Sequence, residues 1–201
     1  MCSIYINKMY ARIKSTVDSL QWRRAGISPM VDAFLYTYGN DAITEFTISR
    51  TVLNPLLTGA IGVISPSFRR KTANTPLYHL QVLFRTNRTS KNIEKTERIT
   101  IGRYNNREGS ENMPVSVPPG LTLNAMLERT HLLMGGKFLS YSAYNNCQDF
   151  ILAMLQSNNL STPVNTLFVK QATQSLFTPQ LRKVSNTITD IAGATTIIMQ
   201  G

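Results

Sequence analysis

Cysteine and histidine are scarce in this chain: Cys2 and Cys147, His79 and His131, among 201 residues. Two cysteines with no framework spacing exclude a small domain stapled by disulfides and point to a reducing compartment. The opening residues, MCSIYINKMYARIK, lack the apolar core of a secretory signal, so an intracellular setting is expected. Without secretion the glycosylation pattern Asn87-Arg88-Thr89 carries no meaning. Long apolar runs are missing too. The best stretch, Val52 to Ile64, is too short to cross a bilayer and contains Pro55, so no transmembrane segment is expected. Neither a metal nor a cofactor is expected.

Acidic side chains are also few: 11 Asp+Glu face 21 Lys+Arg, a formal net charge of +10. The excess is local. Residues 61–105 hold nine cations and two carboxylates, whereas the flanking stretches are close to balanced. A basic stretch of this kind suggests an anionic partner, either nucleic acid or an acidic surface. Its cations include Arg69, Arg70 and Lys71, the candidate anion-binding group. What is plentiful is apolar: 42% of the residues, enough for the core of one ordinary domain and enough to exclude wholesale disorder.

Periodicity supplies an outline. Tyr5, Met9, Ile13, Val17 and Leu20 mark one helical face over 4–24. Ser28-Pro29 reads as a cap followed by a first-turn proline, opening a helix to about Tyr38, where Gly39-Asn40-Asp41 stops it. Residues 42–50 alternate and are β-branched, as a strand requires. Asn54-Pro55 signals another helix, and 65–75 a basic loop. Residues 77–84 read as a buried strand with Leu77, His79, Gln81 and Leu83 on one face. Residues 85–90 form a turn, 91–101 the returning strand, and 102–119 a loop. Residues 122–133 read as a helix ended by Gly135-Gly136. Asn146 is a natural N-cap, with Cys147, Phe150, Ile151, Met154 and Leu155 on one stripe of a helix that ends near Asn158-Asn159. Two more helices are expected at about 165–177 and 179–192. The fold class is α+β, a small antiparallel sheet packed against helices. An N-terminal helical arm over 1–40 precedes a domain over 41–201.

Cys147 is the residue with the clearest chemical promise. A thiol in the first turn of a helix meets unpaired backbone N–H groups and the positive end of the dipole, which together favour thiolate. The same N–H groups suit an oxyanion. A histidine within reach would complete a nucleophile and base. His79 lies on a strand and His131 on a helix among leucines. By residue type alone, a buried cysteine and a strand histidine are as well explained by packing.

The order of these elements is informative. Tyr78-His79-Leu80 opens a strand, a second strand follows, and Asn146-Cys147-Gln148-Asp149-Phe150 opens a later helix. This arrangement resembles the circularly permuted branch of the NlpC/P60 papain-like superfamily, which includes lecithin–retinol acyltransferase-like and PPPDE-type proteins. It is most similar to uncharacterised members encoded by large DNA viruses. The resemblance spans about residues 42–195 and rests on some dozen positions. It implies a permuted papain-like core in which Cys147 is the nucleophile and His79 the general base. A polar group on the strand after the histidine orients the ring. Asn92, Glu94 and Glu97 are available, and Glu94 is the first choice. Some relatives carry a second histidine where this chain has none. Gln148 follows the nucleophile, with Asn146 before it, as oxyanion-binding or supporting groups.

The implied activity is that of a cysteine hydrolase or acyltransferase acting on an amide, isopeptide or lipid ester through an acyl-enzyme. Two rival readings stand beside it. One is a non-enzymatic virion component that keeps the papain-like fold and contacts other virion components. The other is a basic module for nucleic acid or an anionic surface. The expected location is accordingly cytoplasmic or virion-associated. Residues 188–199 read as a docking helix.

Overall fold

The computed structural model describes residues 26–52, 77–141 and 145–170. Helix α1 (Pro29–Tyr38) starts where Ser28 caps it, its side chain accepting from the Val31 N–H at 3.3 Å. Strand β1 (Ile43–Val52) follows, then β2 (Tyr78–Thr86), β3 (Ser90–Lys95), β4 (Ile99–Arg103) and β5 (Glu111–Pro114). Helix α2 (Leu123–Met134) leads through a 3₁₀ turn (Gly135–Phe138) toward α3 (Cys147–Ser157), and α4 (Pro163–Val169) completes the series. The five strands form one antiparallel sheet in the order β4-β3-β2-β1-β5. The architecture is α+β, as the periodicity implied.

Alternation divides the sheet into an apolar and a polar face. Leu80, Val82 and Phe84 of β2 share a face with Phe46 and Ile48 of β1 and with Ile93 of β3, all buried. Against it pack Met126 and Leu127 of α2 and Phe150, Ile151, Met154 and Leu155 of α3, forming the main core. His79, Gln81 and Leu83 point to the other face, beside Ser49, Asn92 and Glu94. Here the buried groups are mostly polar. Asn92 donates to the Gln81 side chain at 2.7 Å, and Gln81 donates to the Asn105 carbonyl at 3.0 Å. Gly102 lies opposite Asn92 because a Cβ there would sit 2.6 Å from the Asn92 side-chain oxygen.

Several expectations change. Residues 91–101 are two strands, β3 and β4, joined by a turn closed by the Thr96 N–H on the Arg98 carbonyl at 3.1 Å. The span 102–119 contains a strand, β5, whose polar sequence ENMP concealed it. Pro114 is tolerated because β5 is an edge, where a missing N–H breaks no second ladder. Helix α4 occupies Pro163–Val169 rather than beginning at 165. Of the arm expected over 1–40, only residues 26–40 are described, and there Val31 and Leu35 of α1 are buried in the main core. The helices expected over 4–24, 54–62 and 179–192 lie outside the described residues, as do the basic loop 65–75 and the docking helix 188–199.

Met154 is fully buried, whereas Met30 is 76% exposed. Met154→Ala should cost about 2–5 kcal/mol in urea denaturation. Met30→Ala should stay within about 0.5 kcal/mol of the native protein. Equal costs at the two positions would contradict this core.

Candidate active site

Antiparallel pairing brings the start of β2 and the end of β3 to one end of the sheet, although 15 residues of chain separate His79 from Glu94. There the His79 Nε2 and a Glu94 carboxylate oxygen lie 2.6 Å apart. Cys147 is close enough to the imidazole to raise its pKa together with Glu94. With Nε2 held by the carboxylate, Nδ1 is the ring nitrogen left for the sulfur. All three groups are withdrawn from solvent: Cys147 is buried, and the His79 and Glu94 side chains are 16% and 8% exposed.

The order sulfur, imidazole, carboxylate is that of a nucleophile, a base and an orienting group. Burial alone would lower the His79 pKa. The hydrogen bonds to Cys147 and Glu94, and the negative charge of both partners, outweigh it and raise the value to about 10. Glu94 shows the mirror image. Burial pushes its carboxyl up, but the His79 hydrogen bond and charge, then Arg107, bring it below the ordinary glutamate value. Arg107 contributes its Nη2 at 3.4 Å from the same carboxylate oxygen that His79 holds. Glu94 is thus flanked by two potential cations and stays ionised.

Cys147 owes its position to the start of α3. The Asn146 side chain accepts from the Gln148 N–H at 2.9 Å, and Asp149 returns a bond to the Asn146 N–H at 3.0 Å. This reciprocal box fixes the angle at which the chain enters the helix. It also alters one expectation. The Gln148 N–H, proposed from sequence as an oxyanion donor, is committed to the Asn146 side chain. The Cys147 N–H has no acceptor within the helix by position, and so is the better placed donor.

Of the three polar candidates on the strand after His79, Glu94 reaches the ring, Asn92 is engaged with Gln81, and Glu97 is exposed at the β3–β4 turn. His131 belongs elsewhere, packing edge-on against Phe138 with ring centroids 5.2 Å apart. Arg69, Arg70 and Lys71 lie outside the described residues. Of the other cations in the basic stretch, several are committed within the fold. Arg85 pairs with Glu45 and stacks on Tyr104, and Arg88 pairs with Asp41 and stacks on Tyr38. Two residues escaped the sequence reading. Arg107 sits in a polar loop with no periodicity to mark it. Lys95 was legible in principle, because alternation from Ile93 puts it on the core face of β3.

Among the described residues, no group of three or more histidine, cysteine or carboxylate side chains could hold a metal ion, and no helix is long and apolar enough to cross a membrane. No family model, curated protein or solved structure matches the chain.

Two expected outcomes follow from the charges and the cap. Since the Glu94 pKa is lowered on folding, its contribution is present above about 4.5 and lost as pH falls through the folded value. The Tm of the native protein should therefore drop more steeply between about pH 5 and pH 3 than that of Glu94→Gln. Parallel acid limbs would show that the carboxylate is not held by its partners. Asn146→Ala should lose about 1 kcal/mol in chemical denaturation through the missing cap.

Proposed function

We propose that this protein is a thiol-dependent acyl-transfer enzyme, hydrolysing or transferring an amide, isopeptide or ester-linked acyl group. The observation that carries this reading is the 2.6 Å contact of His79 with Glu94, with the buried Cys147 near the same ring at the entrance of α3.

Each group has one task. With the proton already resting on the His79 ring, the Cys147 sulfur attacks the substrate carbonyl carbon as thiolate, and the carbonyl π electrons move onto oxygen. The Cys147 N–H and the N-terminal dipole of α3 face the developing oxyanion. Collapse of this intermediate expels the amine or alkoxide, which receives the proton from His79. A thioester remains on Cys147. Water or an acceptor, deprotonated by the same imidazole, then releases the acyl group and restores the thiol. Glu94 holds the ring in one orientation and balances the imidazolium charge, and Arg107 keeps Glu94 ionised. The raised His79 pKa fits this arrangement, since a proton is held on the ring near neutral pH.

The nucleic-acid reading draws less support. Lys95 is buried, Arg85 and Arg88 are paired with carboxylates and Arg107 with Glu94, so much of the described positive charge is used internally.

The test is labelling with a small acyl or alkyl electrophile, with the modified residue located by peptide mass spectrometry. At neutral pH Cys147 should label, and His79→Ala should slow labelling at least roughly a hundredfold, the scale of general-base assistance. Glu94→Gln should slow it less. A native protein in which Cys147 labels no faster than a free thiol would dispose of the enzymatic reading.

A further inference from the structure

Lys95 is 1% exposed and has no carboxylate at ion-pair distance among the described residues. A cation in such a place is costly unless its protons are bonded and its charge is used. The protons are bonded. Lys95 Nζ donates to the Lys137 carbonyl at 2.7 Å and to the Asn145 side-chain oxygen at 3.3 Å. Asn145, itself buried, turns its amide nitrogen back onto the Lys137 carbonyl and the Ser140 carbonyl, each at 2.6 Å. One ammonium therefore gathers both ends of the segment from Lys137 to Asn145, the stretch of chain that delivers Asn146 and Cys147 to the start of α3.

The charge also has a direction. From α3 the groups facing Lys95 electrostatically are Asp149 and Cys147, and the Phe150 ring centroid lies 5.9 Å from Nζ. From the 3₁₀ turn and the described residues after it come the neutral acceptors above and Tyr141, whose hydroxyl is held protonated well above the ordinary tyrosine range by burial, with Cys147 and Asp149 nearby. Its own strand carries Glu94, paired with His79, on the opposite face of the sheet.

Building on the acyl-transfer reading above, we propose that Lys95 is a positioning residue for the nucleophile. Its ammonium ties the 137–145 segment to the sheet, so that Cys147 meets His79, and its charge favours thiolate over thiol. Burial lowers the Lys95 pKa to about 8, against the opposing pull of Asp149 and Cys147. The group is therefore still largely protonated at neutral pH, where its charge is needed.

The two roles separate in two variants. Lys95→Met removes both the tie and the charge. Lys95→Gln removes the charge but keeps a donor for the Lys137 carbonyl. The readout is the rate of iodoacetamide alkylation at Cys147 across pH, resolved from Cys2 by peptide mass spectrometry. Native protein and His79→Ala are run beside the variants on the full chain. Both Lys95 variants should move the midpoint of the profile upward by about one pH unit, so alkylation on its acid side slows roughly tenfold. Lys95→Gln should keep more of the plateau rate than Lys95→Met. A purely structural lysine would lower plateau rates without moving the midpoint, and an unmoved midpoint in both variants overturns the proposal. Loss of the fold in both, seen by circular dichroism, overturns it equally by making Lys95 a packing element. A native Cys147 whose alkylation ignores His79 would instead strike at the dyad, and the comparison with His79→Ala keeps that failure separate.

Discussion

The site depends on the 2.6 Å contact between His79 and Glu94, two charged or chargeable groups held away from water on the polar face of the sheet. A carboxylate at that depth is unfavourable alone, and so is an imidazolium. Together they are tolerated, and the ring loses its freedom to turn. Once Nε2 is fixed on Glu94, Nδ1 is the nitrogen left to serve the neighbouring Cys147. Arg107 secures the same carboxylate from the loop beyond β4. The polar face of the sheet can be understood as the support this contact requires.

The strands and helices contribute differently. Antiparallel pairing sets the distance between β2 and β3, so His79 and Glu94 meet wherever the hairpin register holds. Cys147 arrives from another layer, and its position depends on how α3 packs and how its first turn is capped. Phe150, Ile151, Met154 and Leu155 lock the helix onto the apolar face, while the Asn146–Asp149 box sets its first turn. The nucleophile thus stands where the apolar core meets the polar sheet face. Such a boundary lets one residue feel both a low dielectric and a hydrogen-bonding base.

How much of this could be read beforehand follows from the range of each interaction. Ser28-Pro29 and Asn146 announced two helix starts correctly, because capping is decided within four residues. The stripe from Cys147 to Leu155 is buried along its length for a similarly local reason. Strand β5 was hidden, since the partner that makes ENMP a strand is β1, more than sixty residues earlier. The long strand expected over 91–101 was divided for the opposite reason: Thr96, Glu97 and Arg98 are polar enough to turn, but only pairing with β2 shows where β3 must stop.

The sequence by itself determined the α+β class, the capped helix that carries Cys147 and the strand that carries His79, because caps and alternation act over a few neighbouring residues. It also narrowed the orienting group to the polar residues after that strand, with Glu94 ahead. Tertiary structure alone decided that the carboxylate reaches the ring, that Arg107 shares it, and that Lys95 lies buried beneath the segment leading to the nucleophile. Those outcomes depend on register and on the meeting of chain segments 13 to 50 residues apart. Charge shows the difference most clearly. Counting cations suggested a surface for anionic partners, whereas folding buries Lys95, sets Arg107 on Glu94 and pairs the exposed Arg85 and Arg88 with neighbouring carboxylates. A side chain's charge belongs to its sequence, but the partner that neutralises it is chosen only when the chain closes on itself.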